Sequence, residues 1–170
     1  AAQALVGKSY DEPKRTFDTN IGGTLNVLES IRNYQAVKAC VLITSDKCYR
    51  NVEQIWGYRE GDILGGEDPY SASKAGAELA IRSYIKSFFN RGNSPLIAST
   101  RAGNVIGGGD WSENRLIPDC IRHLTNNEPV IIRNPSSTRP WQLVLEPLSG
   151  YLLLGQKLLE NERGLMEGWN

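Results

Sequence analysis

The sequence predicts an α/β fold, a parallel sheet wound by helices, and three observations predict it. Two short apolar runs, 37–44 and 96–101, read as strands covered on both faces. Longer stretches with apolar residues at helical spacing precede and separate them. The resulting order of helix, strand, helix, strand is that of parallel strands joined by helical crossovers.

Taken in order, residues 13–34 carry Phe17, Ile21, Leu25, Leu28 and Ile31 at helical spacing behind Pro13, which predicts a helix with one buried face. Asn20 lies within it. Gly22 and Gly23 cost a helix about 1 kcal/mol each relative to alanine, which points to close backbone approach. Ser45-Asp46-Lys47 then falls at the carboxyl end of the strand 37–44, where open α/β sheets bind ligands. Residues 51–67 are polar, aromatic and glycine-bearing, a loop able to form part of a lid. Asp68-Pro69 opens a second helix, an N-cap followed by proline at its first position, and Tyr70, Ala77, Ile81, Tyr84 and Phe88 continue it to about residue 89.

After the strand 96–101 comes a glycine cluster at 103–110. Its spacing is wrong for a dinucleotide fingerprint, so it reads as a flexible ligand-side loop. A short helix interrupted by Pro118 is expected at 116–124, and short strands at 130–132 and 141–145. Glu146-Pro147 starts a last helix with Leu148, Tyr151, Leu152, Gly155 and Leu159 on one side. The loop and the shorter elements beyond it place a boundary near Trp111, dividing the chain into 1–110 and 111–170.

The chain has 170 residues, 40% of them hydrophobic, enough for one ordinary core. Lysine plus arginine equals aspartate plus glutamate at 19 each, so nothing points to nucleic acid as a partner. Cys40, Cys48 and Cys120 show no metal or disulfide spacing and are read as thiols. No apolar run approaches a membrane span, and a cytoplasmic protein without a membrane partner is expected. The first residue is not methionine and the last follows a helical pattern closely, so an internal piece of a longer protein is expected.

Tyr70 and Lys74 lie four residues apart at the start of the second helix, on one face. The ammonium therefore favours the phenolate, and Tyr70 becomes a candidate base. Bringing a tyrosine from about 10 to about 7 requires roughly 4 kcal/mol, more than one exposed amine supplies. A second positive charge such as an oxidised nicotinamide has to help. Taken alone, such a pair is also an ordinary surface pair, and Asp46 and Lys47 also read as a polar strand end.

With Tyr-x-x-x-Lys on a helix after a strand that ends Thr44-Ser45-Asp46-Lys47, the sequence resembles the extended short-chain dehydrogenase/reductase family. Ala1-Ala2-Gln3 looks like that family's alanine pair after its fourth strand. Thr19-Asn20-Ile21 with Gly23-Thr24 looks like its helix asparagine motif. Within the family, Ser45-Asp46-Lys47, Asn104, Arg115-Leu116-Ile117-Pro118 and Thr138-Arg139-Pro140-Trp141-Gln142 resemble the nucleotide-sugar 4,6-dehydratases, and among them the branch acting on CDP-glucose. The resemblance covers essentially the whole chain.

It implies a Rossmann-like doubly wound parallel sheet lacking its first strands, followed by the start of a smaller substrate domain. Residues 1–110 would be the C-terminal part of the NAD-binding domain and 111–170 the beginning of the nucleotide-sugar domain. The cofactor is NAD, near Ala1, Ala2, Gln3, Asn20, Tyr70 and Lys74; its phosphate loop is expected upstream of Ala1, so tight binding by this chain alone is not. A homodimer through the helices 13–34 and 70–89 is implied as well.

The resemblance also distributes the chemistry. Tyr70 would deprotonate the C4 hydroxyl during oxidation, with Lys74 lowering its pKa and holding the nicotinamide ribose and Ser45 bonding the same oxygen. Asp46, kept protonated, would be the acid that protonates the C6 hydroxyl as water leaves across C5 and C6. Lys47 stands where the dTDP-glucose branch has a glutamate base. It acts as a neutral base or as a cation beside the enolate, and the residues leave both open. Asn104, Arg115 and Arg139 are the candidates for the nucleotide pyrophosphate. Most relatives carry aspartate after that arginine, whereas Pro140 follows it here. The rival readings are a nucleotide-sugar 4-epimerase and a non-catalytic dinucleotide-binding module.

Overall fold

The computed structural model describes residues 2–34 and 36–170. Its centre is a parallel sheet of β1 (Ala39–Ile43), β2 (Leu96–Thr100) and β5 (Gly168–Trp169), in the order β1-β2-β5. Ala39 pairs with Leu96 and Ile43 with Thr100, and Ser99 pairs with Gly168. Helices lie on both faces. Ser99 of β2 bonds to Glu78 on α4 (Pro69–Tyr84), whereas Val41, paired with Ala98, meets Gly155 on α6 (Leu145–Leu159). Successive residues of a strand point to opposite faces, so the two helices sandwich the sheet. Every residue of β2 is buried, as its apolar run predicts.

The helical region before β1 is richer than expected. A short α1 (Val6–Asp11) precedes α2 (Pro13–Phe17), and Pro13 at the first position of α2 starts a new helix there. A π turn over Asp18–Gly22 then leads into α3 (Gly23–Asn33). Gly22 and Gly23 have open space where a Cβ would stand, so the close approach expected of them lies elsewhere. It is at Gly76 of α4, where a Cβ would come 2.5 Å from Ile21 Cδ1.

The core joins Leu28 and Ile31 of α3, Ile81, Ile85 and Phe89 along and after α4, Leu96, Ile97 and Ala98 of β2, Leu154 and Leu158 of α6, and Met166. Residues from both sides of position 110 thus share one apolar interior.

Four local expectations change. The glycine cluster contains β3 (Val105–Ile106), which pairs in parallel with β4 (Gln142–Leu143), so it is tied down by a second small sheet. Pro118 does not interrupt α5 (Leu116–Thr125), because it stands in the first turn, where backbone N–H groups have no intrahelical acceptor. Residues 130–132 form no strand, and Ile131 is exposed. The buried face of α6 is Leu154 and Leu158; Leu148, Leu152 and Leu159, expected inside, are exposed.

Candidate active site

The carboxyl end of β1 is held by the ladder. Thr44 N–H donates to Thr100 O (2.8 Å) and Asp46 N–H to Ala102 O (3.2 Å). The chain then closes a single 3-10 turn over Asp46–Cys48, with Ser45 as its N-cap: Ser45 Oγ accepts from Lys47 N–H (3.2 Å) and donates to Asp46 Oδ1 (3.1 Å). Burial holds the Asp46 carboxyl above the usual carboxylate range, against the opposing pull of Lys47, the Ser45 hydroxyl and Arg139. Among the described residues Lys47 Nζ has no hydrogen bond or ion pair.

α4 begins where the sequence places it. Asp68 Oδ1 accepts from Ser71 N–H (3.0 Å), Pro69 occupies the first helical position, and Tyr70 and Lys74 follow in the first two turns. Both side chains are buried, and Lys74 Nζ stands 5.9 Å from the centroid of the Tyr70 ring. The pair therefore meets as its spacing requires.

Its electrostatics run against expectation. Burial pushes the Tyr70 phenol above its ordinary value, with the Ser45 hydroxyl and Arg115 pulling down and Asp46 and Asp68 pushing up. Burial likewise lowers Lys74, opposed by Glu78 and Cys48. Each group is held toward its neutral form, so Lys74 alone does not make Tyr70 a base. A further positive charge from outside the chain is what the pair lacks, and that suits an oxidised nicotinamide.

Asn20 turns out to be a clamp. From the π turn its Oδ1 accepts from Gln3 N–H (2.9 Å), and its Nδ2 donates to Gln3 O (3.1 Å) and Ser73 Oγ (2.8 Å). Its amide is thereby filled by protein, and it ties the segment before α1 to the first turns of α4. Gln3 reinforces this by donating to Thr16 Oγ1 (3.0 Å) and Leu5 O (3.0 Å). Ala2 is exposed beside it, and Ala1 lies outside the described residues.

The three expected substrate residues sit around the same strand end. Arg115 pairs with Asp110 (3.4 Å), reaches Ala4 O (3.4 Å) and bears electrostatically on Tyr70. Arg139 bears on Asp46 while donating to Thr138 O (2.7 Å). Asn104 O accepts from Gln142 N–H (3.0 Å), and the Asn104 side chain has no hydrogen bond among the described residues.

Sequence reasoning missed a buried polar group next to this site. Glu78, one turn beyond Lys74, accepts from Arg101 (2.7 Å), from Ser99 Oγ (2.9 Å) and from Thr44 Oγ1. Arg101 continues to Tyr49 Oη (2.7 Å), and Tyr49 to Asn170 Oδ1 (2.6 Å). A glutamate at helical spacing from Lys74 was the available signal; its strand partners were invisible without the fold. No group of three or more His, Cys, Asp or Glu among the described residues could hold a metal ion.

The Ser45 and Tyr70 hydroxyls, the Asp46 carboxyl with its raised pKa and the Lys47 amine, which has no partner among the described residues, are groups able to exchange protons with a bound molecule. Comparison with known proteins gives the family. The chain is 54% identical, over its full length, to a CDP-glucose 4,6-dehydratase of Salmonella typhimurium, and spans 48% of that protein. It superposes on an epimerase, Mth375, of Methanothermobacter thermautotrophicus with a TM-score of 0.84 (24% identity, 99% of this chain, 48% of that one). On DesIV, a dTDP-glucose 4,6-dehydratase from Streptomyces venezuelae solved with NAD and TYD bound, the TM-score is 0.81 (23% identity, 99% and 48%). The family described as GDP-mannose 4,6 dehydratase matches residues 1–162, and to that family this chain belongs.

Proposed function

We propose that the protein containing this chain is a lyase that dehydrates a nucleotide sugar, CDP-glucose to CDP-4-keto-6-deoxyglucose, with NAD as its cofactor. The observation that carries the reading is the meeting of Ser45 and Asp46 at the end of β1 with Tyr70 and Lys74 on α4, the Asp46 carboxyl being held toward its protonated form. The 54% identity to a CDP-glucose 4,6-dehydratase supports the choice of sugar nucleotide.

Tyr70 and Lys74, flanked by Ala2 and Gln3, are the residues that would hold the nicotinamide end of NAD, and Asn20 keeps that segment in place. When bound, NAD would supply the acceptor for the hydride leaving C4 and the donor of the hydride that reaches C6 as a proton returns to C5. Ser45 and Tyr70 orient the C4 hydroxyl, and Tyr70 takes its proton as C4 becomes a ketone. The ketone acidifies the C5 hydrogen. Lys47 acts there, taking the proton when neutral or steadying the enolate when charged. Asp46 gives its proton to the C6 hydroxyl as the C6–O bond breaks, and water leaves. Asn104, Arg115 and Arg139 face the pyrophosphate.

The same proposal assigns 111–144 to the substrate side and returns α6 and β5 to the cofactor side, places the protein in the cytoplasm, and makes it a homodimer. Val27 on α3, with Leu79 and Phe88 along and after α4, is exposed on the helices such a dimer uses. Incubating the full-length protein with CDP-glucose and NAD tests the reaction. Loss of one water by mass spectrometry, with a 4-ketone by NMR, supports dehydration; an unchanged mass with a 4-epimer rejects it.

A further inference from the structure

The small sheet of β3 and β4 does more than close a loop. Val105 pairs with Gln142 and Ile106 with Leu143, and the same register sets Gly103 opposite Pro140 and Gly107 opposite Val144. Both glycines are needed for the fit: a Cβ on Gly107 would stand 2.8 Å from Val144 Cγ1, and one on Gly103 would stand 2.6 Å from Pro140 Cγ. The point above Gly103 is also 3.3 Å from Asp46 Oδ2. The proline ring and the Asp46 carboxylate thus face one another across a bare glycine.

Pro140 is fixed there by its own backbone. Trp141 N–H donates to Arg139 O (2.9 Å), a three-residue turn centred on the proline, and the ring locks φ near the value that turn needs. Pro140 is exposed as a whole, and its Cγ and Cβ are the ring atoms nearest Gly103.

We propose that Pro140 and Gly103 form an apolar seat that limits water at the Asp46 carboxyl and holds it toward the sugar, so that Pro140 is a positioning residue for the acid of the elimination step. This rests on the assignment of Asp46 as that acid. The charged and titratable groups facing Asp46 are Lys47 and Cys48 in its own turn, Tyr70 on α4 and Arg139 beside Pro140; Ser45 donates to it. Lys47 and Arg139 favour the charged form of Asp46, and burial opposes them.

The test uses the full-length enzyme with Pro140→Ala, which removes the ring from the seat, and Gly103→Ala, which pushes it off. An acid must be protonated, so the elimination rate is lost as pH rises through its pKa. Opening the seat moves that basic limb to lower pH by about one unit, and the Asp46 carbonyl band, assigned by infrared difference against Asp46→Asn, disappears at correspondingly lower pH. In Asp46→Asn itself elimination is expected to stop. Retained elimination in Asp46→Asn overturns the acid and the seat with it. Abolished elimination there, with an unmoved limb and band in Pro140→Ala, overturns the seat alone.

Discussion

Tyr70 and Lys74 are both held toward neutrality by burial, so the resting pair is a phenol beside an amine whose charge is itself disfavoured. Catalysis then depends on what binds next to them. Tyr70→Phe keeps the ring and the packing and removes only the proton carrier; kcat is expected to fall by about 10²–10⁴-fold, with nucleotide-sugar binding retained by calorimetry. Lys47→Met is expected to stop exchange of the C5 hydrogen with solvent deuterium while the first oxidation persists, and exchange at the wild-type rate removes Lys47 from the step. Asp46 makes a prediction about stability as well. Its folded pKa lies above the unfolded value, so the fold is favoured below the ordinary carboxylate range and loses stability as pH rises toward and through the raised value. Asp46→Asn removes that loss, since the amide oxygen still accepts from Ser45. Its melting temperature should exceed that of the wild type at pH 8 and match it near pH 3. The placement of Tyr70 and Lys74 at a helix start, and of Asp46 and Lys47 at a strand end, was legible because a four-residue spacing and a strand end are local features. Pro140 was not legible in that way, since its place against Gly103, next to Asp46, depends on a register between strands far apart in sequence.

At the scale of elements, α4 positions the site, and the Glu78 network fixes α4. Glu78 and Arg101 have side chains only 2% and 6% exposed, and their partners reach Thr44 on the β1 side and Ser99 in β2. Glu78→Ala leaves a buried guanidinium without its counter-charge, which should cost about 3–5 kcal/mol in denaturant unfolding. An unchanged midpoint would show that water replaces the carboxylate. The start of α4 was readable because Asp68 and Pro69 are a cap and a first-turn proline whose effect is local. The inner face of α6 was not, because leucines ring the helix and only the sheet decides which of them are covered. Residues 130–132 failed for a related reason: a strand needs a partner, and β-branched composition does not supply one.

The whole molecule carries more apolar surface than its own sheet can cover. β1 is an edge strand of the described sheet, its burial is only partial, and Ile43 is 58% exposed where a run of that composition reads as an interior strand. On one side of the sheet α6 presents Leu145, Leu148, Leu152, Leu153 and Leu159 outward, Leu152 at 77% exposure. An open edge beside an apolar helix face is a surface for self-association in water. The chain spans 48% of the CDP-glucose 4,6-dehydratase of Salmonella typhimurium that it matches, so the rest of a protein of that length would be available to cover both. Residues 1–170 expressed alone are therefore expected to bind a hydrophobic dye and to sediment as concentration-dependent oligomers. Leu152→Lys, at an exposed side chain, should reduce that association without lowering the melting temperature. In the full-length protein the same lysine is expected to destabilise, because a segment covering this face would take a charge into an apolar contact. Equal, neutral behaviour of Leu152→Lys in both would mean that this face of α6 stays open to solvent even in the complete protein.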